Sequence, residues 1–393
     1  MRPSTRCVRA TDSRDPYGAT SPPIYQTATF RQPTATEFGE YDYSRTANPT
    51  RTLLEEQIAA LEGGRSCLAF ASGMAALAAT TRLVESGEEI LAGDDLYGGA
   101  ARLLSRVAPR QGIAVRYVDA TDPAAVAEAI GPRTRLLLVE TPTNPLLHVA
   151  DVAALAEVCH RRGVLLAVDN SLLTPVLQRP LELGADLVVH SATKGLCGHG
   201  DVLAGAVVTN DPGLADRIAF HQNAEGAGLA PFDAWLLLRG LKTLALRVER
   251  QCATATRIAE HLASHPAVER VHFPGLADGR QGAIQRRQAR GPGCLVSFTT
   301  GDPERSRRIV ESLSLFTIAV SFGAVGSSVS LPCHMSHASI PPELRGRLAP
   351  PPDLVRLSVG IEDPQDLVDD LEQALLVATA AAQPGERPTL TAT

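Results

Sequence analysis

Lysine is almost missing from this chain of 393 residues. Lys194 and Lys242 are the only two among 37 basic side chains, so arginine carries nearly all the positive charge. A guanidinium stays protonated and spreads its charge, whereas an amine can lose its proton and attack a carbonyl. The scarcity isolates Lys194, within His190-Ser191-Ala192-Thr193-Lys194, as a candidate nucleophile able to form a Schiff base. Long apolar runs are missing too. No uncharged apolar stretch reaches 18 residues, and Met1 to Asp15 carries arginines without an apolar segment, so a membrane span is excluded and a cytoplasmic protein is expected. The seven cysteines form no CxxC pair, and their odd number fits reduced thiols. Cys333-His334 with His337, and Cys197 with His199, lack a second cluster at zinc-site spacing, so no metal is expected. A net charge of −6 without a basic stripe argues against nucleic acid.

What is present is apolar material for buried sheets, at 44% of residues. From about residue 52 to 210, short apolar runs alternate with helical patterns, the rhythm of an α/β fold whose mostly parallel sheet is covered by helices. The runs predict seven strands: Cys67–Ala71, Glu89–Ala92, Val115–Val118, Leu136–Glu140, Leu165–Asp169, Leu187–His190 and Ala204–Val208. Length and pattern divide the chain into an arm over 1–50 that reaches a neighbouring subunit, a large domain over 51–245, and a smaller α+β C-terminal domain over 246–380. Trp235–Gln251 reads as one long amphipathic helix, and 381–393 as a disordered tail.

Ligands of such sheets gather at the carboxyl ends of the strands. Asp169 ends one apolar run, where a carboxylate needs a cation to face it, and a protonated pyridine nitrogen would serve. Lys194 follows the next strand, 25 residues on. At Ser72-Gly73-Met74 a third strand turns through glycine into an alanine-rich helix, whose first backbone N–H groups suit a phosphate. Ser191 and Thr193 offer hydroxyls to the same group. Phosphate cradle, acidic partner and lysine together specify pyridoxal 5'-phosphate.

Longer segments carry a resemblance from about Asp15 to Leu376. They include Tyr43-Ser44-Arg45, Leu96-Tyr97-Gly98-Gly99, Thr141-Pro142-Thr143-Asn144-Pro145, Val168-Asp169-Asn170, the Lys194 string and Val355-Arg356-Leu357-Ser358-Val359-Gly360. With these the chain resembles the Cys/Met-metabolism family of pyridoxal-phosphate enzymes, the trans-sulfuration enzymes of fold type I, which is aminotransferase-like. Asp15-Pro16-Tyr17-Gly18, Glu225-Gly226-Ala227-Gly228 and Ser321-Phe322-Gly323 resemble its plant-type branch, which cleaves cystathionine by β-elimination.

The resemblance implies that Lys194 holds the cofactor and moves protons, that Asp169 keeps its ring nitrogen protonated, and that Tyr97 stacks on the ring. It implies phosphate contacts from Gly73, Met74, Ser191 and Thr193, joined by Tyr43 and Arg45 of a neighbouring subunit in a homotetramer. Arg356, Asn144 and Ser321 would take the carboxylate of a sulfur amino acid. The implied activity is a carbon–sulfur lyase acting on cystathionine in methionine and cysteine metabolism. Alternatives are γ-elimination, γ-replacement, sulfhydrylation of an O-acylhomoserine, cleavage of another cysteine conjugate, or a cofactor-bound but inert protein. Gly195, Gly200 and Gly326 depart from the family pattern: less bulk at the first two implies a loosened or reshaped pocket, and Gly326 stands where the family often places a charged residue that contacts the distal end of the substrate.

Overall fold

A computed structural model describes residues 1–9, 15–338 and 349–380. All seven predicted strands form, as β1 Ser66–Phe70, β2 Glu89–Gly93, β3 Ala114–Val118, β4 Thr134–Glu140, β5 Leu165–Asp169, β6 Leu187–His190 and β7 Gly205–Thr209. They make one sheet in the order β1-β7-β6-β5-β4-β2-β3, parallel throughout except that β7 runs antiparallel to both neighbours. Continuous apolar runs were readable because both faces are covered. Leu136 and Leu138 point into one core and Leu137 and Val139 into another, each almost fully buried.

A second sheet follows: β8 Arg270–His272, β9 Leu295–Thr299, β10 Thr317–Ile318, β11 Ser328–Ser330 and β12 Val355–Ser358, in the order β10-β11-β12-β9-β8. It packs on the C-terminal helix Pro364–Ala380 through a core that includes Phe298, Leu357 and Leu371.

The segment Trp235–Gln251 is not one helix. Pro231–Leu241 ends at Lys242, and Leu244–Ser264 begins after Thr243, whose backbone (φ −106°, ψ 2°) leaves the helical path. The Thr243 hydroxyl donates to the Gly240 carbonyl at 3.2 Å, a local bond that competes with helix continuation. Apolar periodicity runs straight through the break, so pattern alone could not mark it. Lys242 sits exposed at this junction. The helix Leu244–Ser264 spans both halves: Leu244, Ala245 and Val248 enter the core beneath β6 and β7, and Ala255, Ile258 and Leu262 the core of the second sheet.

Pro3–Arg9 is a helix that buries Cys7 in the large core, a segment too short for periodicity to reveal. The predicted tail 381–393 lies outside the described residues.

Candidate active site

Three parallel strands end side by side, and their last residues build one floor. In register, Glu140 of β4 lies beside Asp169 of β5, and Asp169 beside Val189 of β6. The turn after β6 carries Ser191, Thr193 and Lys194. Ser171 ties these ends together: its own N–H donates to Asp169 Oδ1 (2.9 Å), and its hydroxyl oxygen accepts the Ser191 N–H (2.6 Å).

Across from this floor the helix Gly73–Thr81 begins, capped by the Ser72 hydroxyl, which accepts the Ala75 N–H at 3.1 Å. The first N–H groups of a helix have no partner within it, so those of Gly73 and Met74 are available to an anion. A side chain at 73 would press within 2.7 Å of Ser191, so glycine is what lets the helix start approach the Lys194 turn. The Thr193 hydroxyl is already committed, accepting from the Ala204 N–H at 2.9 Å and donating to its carbonyl at 3.2 Å.

Lys194 is held from the opposite side of the cleft. Its amine donates to Ser321 Oγ at 2.6 Å and lies 5.3 Å from the centre of the Phe322 ring. Burial, seconded by the charge of Arg356 and opposed by Asp169, lowers its pKa to about 8. Burial also raises the Asp169 carboxyl above its ordinary value, against the hydrogen bonds from Ser171. Ser321 has φ +84°, a left-handed conformation costly for a residue with a side chain and typical of places where geometry serves function. Arg356, 2% exposed, aims its fork at Asn144 Oδ1 (2.7 Å) and the Ser321 carbonyl (2.8 Å). Its Nε is buried without an acceptor among the described residues. Burial pulls its pKa down to about 10, which leaves it charged at neutral pH.

These groups, with Tyr97 at 40% exposure, line a single cleft of about 860 Å³. It brings together Lys194, Asp169, Tyr97, Gly73, Met74, Ser191, Thr193, Asn144, Ser321 and Arg356. Tyr43 and Arg45 lie outside it within the same chain: the Arg45 guanidinium donates to the Asn223 carbonyl at 2.7 Å and sits 5.5 Å over the Tyr43 ring. Of the three departures, Gly200 and Gly326 line the cleft with open space where a side chain would stand, whereas bulk at Gly195 would meet Thr174 at 2.8 Å. Gly195 therefore does not loosen the pocket.

Two cleft residues escaped the sequence reading. Glu140 accepts the Tyr97 N–H at 3.0 Å, and burial, reinforced by the charge of Asp169, holds its carboxyl well above the ordinary range. It ends an apolar strand as Asp169 does, so the same signal could have found it. Ser171 had only its place two residues after Asp169.

The model of the family described as Cys/Met metabolism PLP-dependent enzyme matches residues 4–376. The chain is 52% identical to a chloroplastic cystathionine beta-lyase of Arabidopsis thaliana over 94% of its own length and 80% of that protein's. A cystathionine gamma-lyase of Bacillus subtilis is 47% identical over 91% of this chain and 94% of the relative. The crystal structure of a cystathionine gamma-lyase from Lactobacillus plantarum, complexed with L-serine, superposes with a TM-score of 0.94 at 42% identity, covering 96% of this chain and all of that one.

Proposed function

The chain belongs to the Cys/Met metabolism PLP-dependent enzyme family, and from that premise we propose that its cleft cleaves L-cystathionine by β-elimination, consuming water and releasing homocysteine, pyruvate and ammonia. The observation that carries this reading is the Lys194 amine, lowered to a pKa of about 8 and set 2.6 Å from Ser321, within one cleft with Asp169 and the Arg356 fork. The relatives named cystathionine beta-lyase, at 48 to 52% identity, support β-elimination over γ-elimination.

The residues present fit the family's cofactor. The helix start at Gly73 offers N–H groups to a phosphate where a Cβ could not be placed, and Ser191 lies beside it. Asp169, a walled-in carboxylate with raised proton affinity, suits a protonated ring nitrogen. When bound, the cofactor supplies a sink for the electron pair left as Cα loses its proton. The chain's residues do the rest. Arg356 grips the substrate carboxylate through its planar fork, and its unpartnered Nε adds a donor. Lys194, with its pKa near working pH, moves the Cα proton, and Ser321 orients the amine by accepting its hydrogen bond. Tyr97 lines the same cleft, its backbone N–H held by Glu140.

The oligomer belongs to the same proposal. Tyr43 and Arg45, on the arm and outside their own chain's cleft, serve a neighbour's phosphate in a homotetramer in the cytoplasm; Tyr43 is 42% exposed and Phe38 71% exposed. No described helix is long and apolar enough to cross a membrane.

The test is product identity. Incubation with L-cystathionine is expected to yield pyruvate and homocysteine in equal amounts. Release of 2-oxobutyrate and cysteine would replace the β-elimination reading with a γ-elimination.

A further inference from the structure

Arg247 is one of three buried arginines among the described residues, with Arg51 and Arg356. It is 4% exposed, and no carboxylate among the described residues pairs with it. An isolated buried cation is costly unless its donors are satisfied. Here they are met by oxygens: Nη1 reaches the Gly195 carbonyl (2.8 Å), Nη2 the Gly240 carbonyl (2.9 Å) and more distantly that of Leu196 (3.4 Å), and Nε the Thr243 hydroxyl (3.0 Å). Gly195 and Leu196 are the two residues that follow Lys194.

One helical turn on, Gln251 donates to the Ala324 carbonyl at 2.8 Å. Ala324 belongs to the loop that carries Ser321 and Phe322. The same face of the helix Leu244–Ser264 thus holds the lysine turn with residue 247 and the serine loop with residue 251. The two loops also touch directly. The Val325 N–H donates to the Gly198 carbonyl at 2.8 Å, and a Cβ at Gly323 would stand 2.8 Å from the Gly195 nitrogen. Gly198 completes the arrangement: its φ is +73°, and a side chain there would overlap the Arg247 guanidinium.

We propose that Arg247, assisted by Gln251, is a positioning residue that fixes the Lys194 turn against the Ser321 loop and so sets the geometry of the Lys194 to Ser321 contact. This rests on Lys194 being the cofactor-bearing residue. The clamp explains two otherwise unrelated features, a buried arginine without an acid and the strained backbone at Ser321.

The test compares Arg247→Met and Gly198→Ala, which break the clamp from opposite sides, with Val248→Ala, which removes only buried methyl groups from the same turn. Two midpoints are read: the pH at which the visible band of the loaded protein titrates, and the pH at which the Lys194 amine of cofactor-stripped protein becomes reactive to acylation, expected at about 8 in the unaltered chain. Both clamp variants are expected to move these midpoints by about half a pH unit or more. They should lower kcat by roughly 10- to 100-fold while KM stays within about 3-fold. Val248→Ala should lower Tm and move neither midpoint. If Arg247→Met does not fold, Arg247→Lys, which keeps the buried charge but loses the fork, takes its place with the same expectation. The proposal is overturned if the clamp variants change only Tm, as Val248→Ala does. Amine reactivity is measured without cofactor, so it separates failure of the clamp from failure of the lyase reading, which would appear as wild-type protein without product.

Discussion

Lys194→Ala is expected to lower turnover of L-cystathionine by at least about 10⁴-fold, because it deletes both the attachment point of the cofactor and the group that moves the Cα proton. No other amine is available to replace it. The only other lysine, Lys242, is exposed at the junction of two helices and does not line the cleft. The variant should also lose the visible band while keeping its fold, since truncation removes one hydrogen bond, to Ser321 at 2.6 Å, and the amine's contact with the Phe322 ring. Lys242→Arg should keep both activity and band. Steady-state kinetics and an absorbance spectrum of the two variants check this, and retained turnover in Lys194→Ala would remove the proposed centre.

Arg356→Lys is expected to raise KM by roughly 10²-fold with a smaller fall in kcat, because a carboxylate gripped by two parallel N–H groups loses one of them. The site amplifies the loss. Arg356 spans two acceptors, Asn144 Oδ1 and the Ser321 carbonyl, that a single ammonium cannot reach in the same geometry. Its guanidinium carbon also lies 5.9 Å from the Phe322 ring centre, a contact that favours the flat group. The cofactor band should persist, since the hydrogen bonds of Arg356 run to Asn144 and Ser321 rather than to the helix start at Gly73 or to Asp169. That separation of KM from spectrum identifies a substrate-carboxylate residue, and an unchanged KM would rule it out.

The legible parts of this chain and the hidden ones differ for physical reasons. Most of strands β1 to β7 could be read because sheets covered on both faces need apolar runs, while β3, at the sheet edge, carries the exposed Arg116. Asp169 and Lys194 could be read because each ends or follows such a run with the one residue type that does not belong there. Arg247 was hidden by abundance: among 35 arginines nothing local separates a buried clamp from a surface charge. Its two partners in the lysine turn are backbone carbonyls some 50 residues away, which no spacing rule records. The break at Thr243 was hidden because the apolar stripe continues through it, and the helix Pro3–Arg9 because two turns carry too little periodicity. Gly195 misled because an absent side chain suggests a hole, yet Thr174 occupies that space.

The central claim is that Lys194, rather than Lys242, bears the cofactor at the floor of the cleft. Reduction of the loaded protein with borohydride fixes the cofactor to whichever amine holds it, and peptide mass mapping then locates the tag. With two lysines in the chain, the result is binary. The tag is expected on the peptide containing His190-Ser191-Ala192-Thr193-Lys194; a tag on the Lys242 peptide, or no tag on either, would contradict the account.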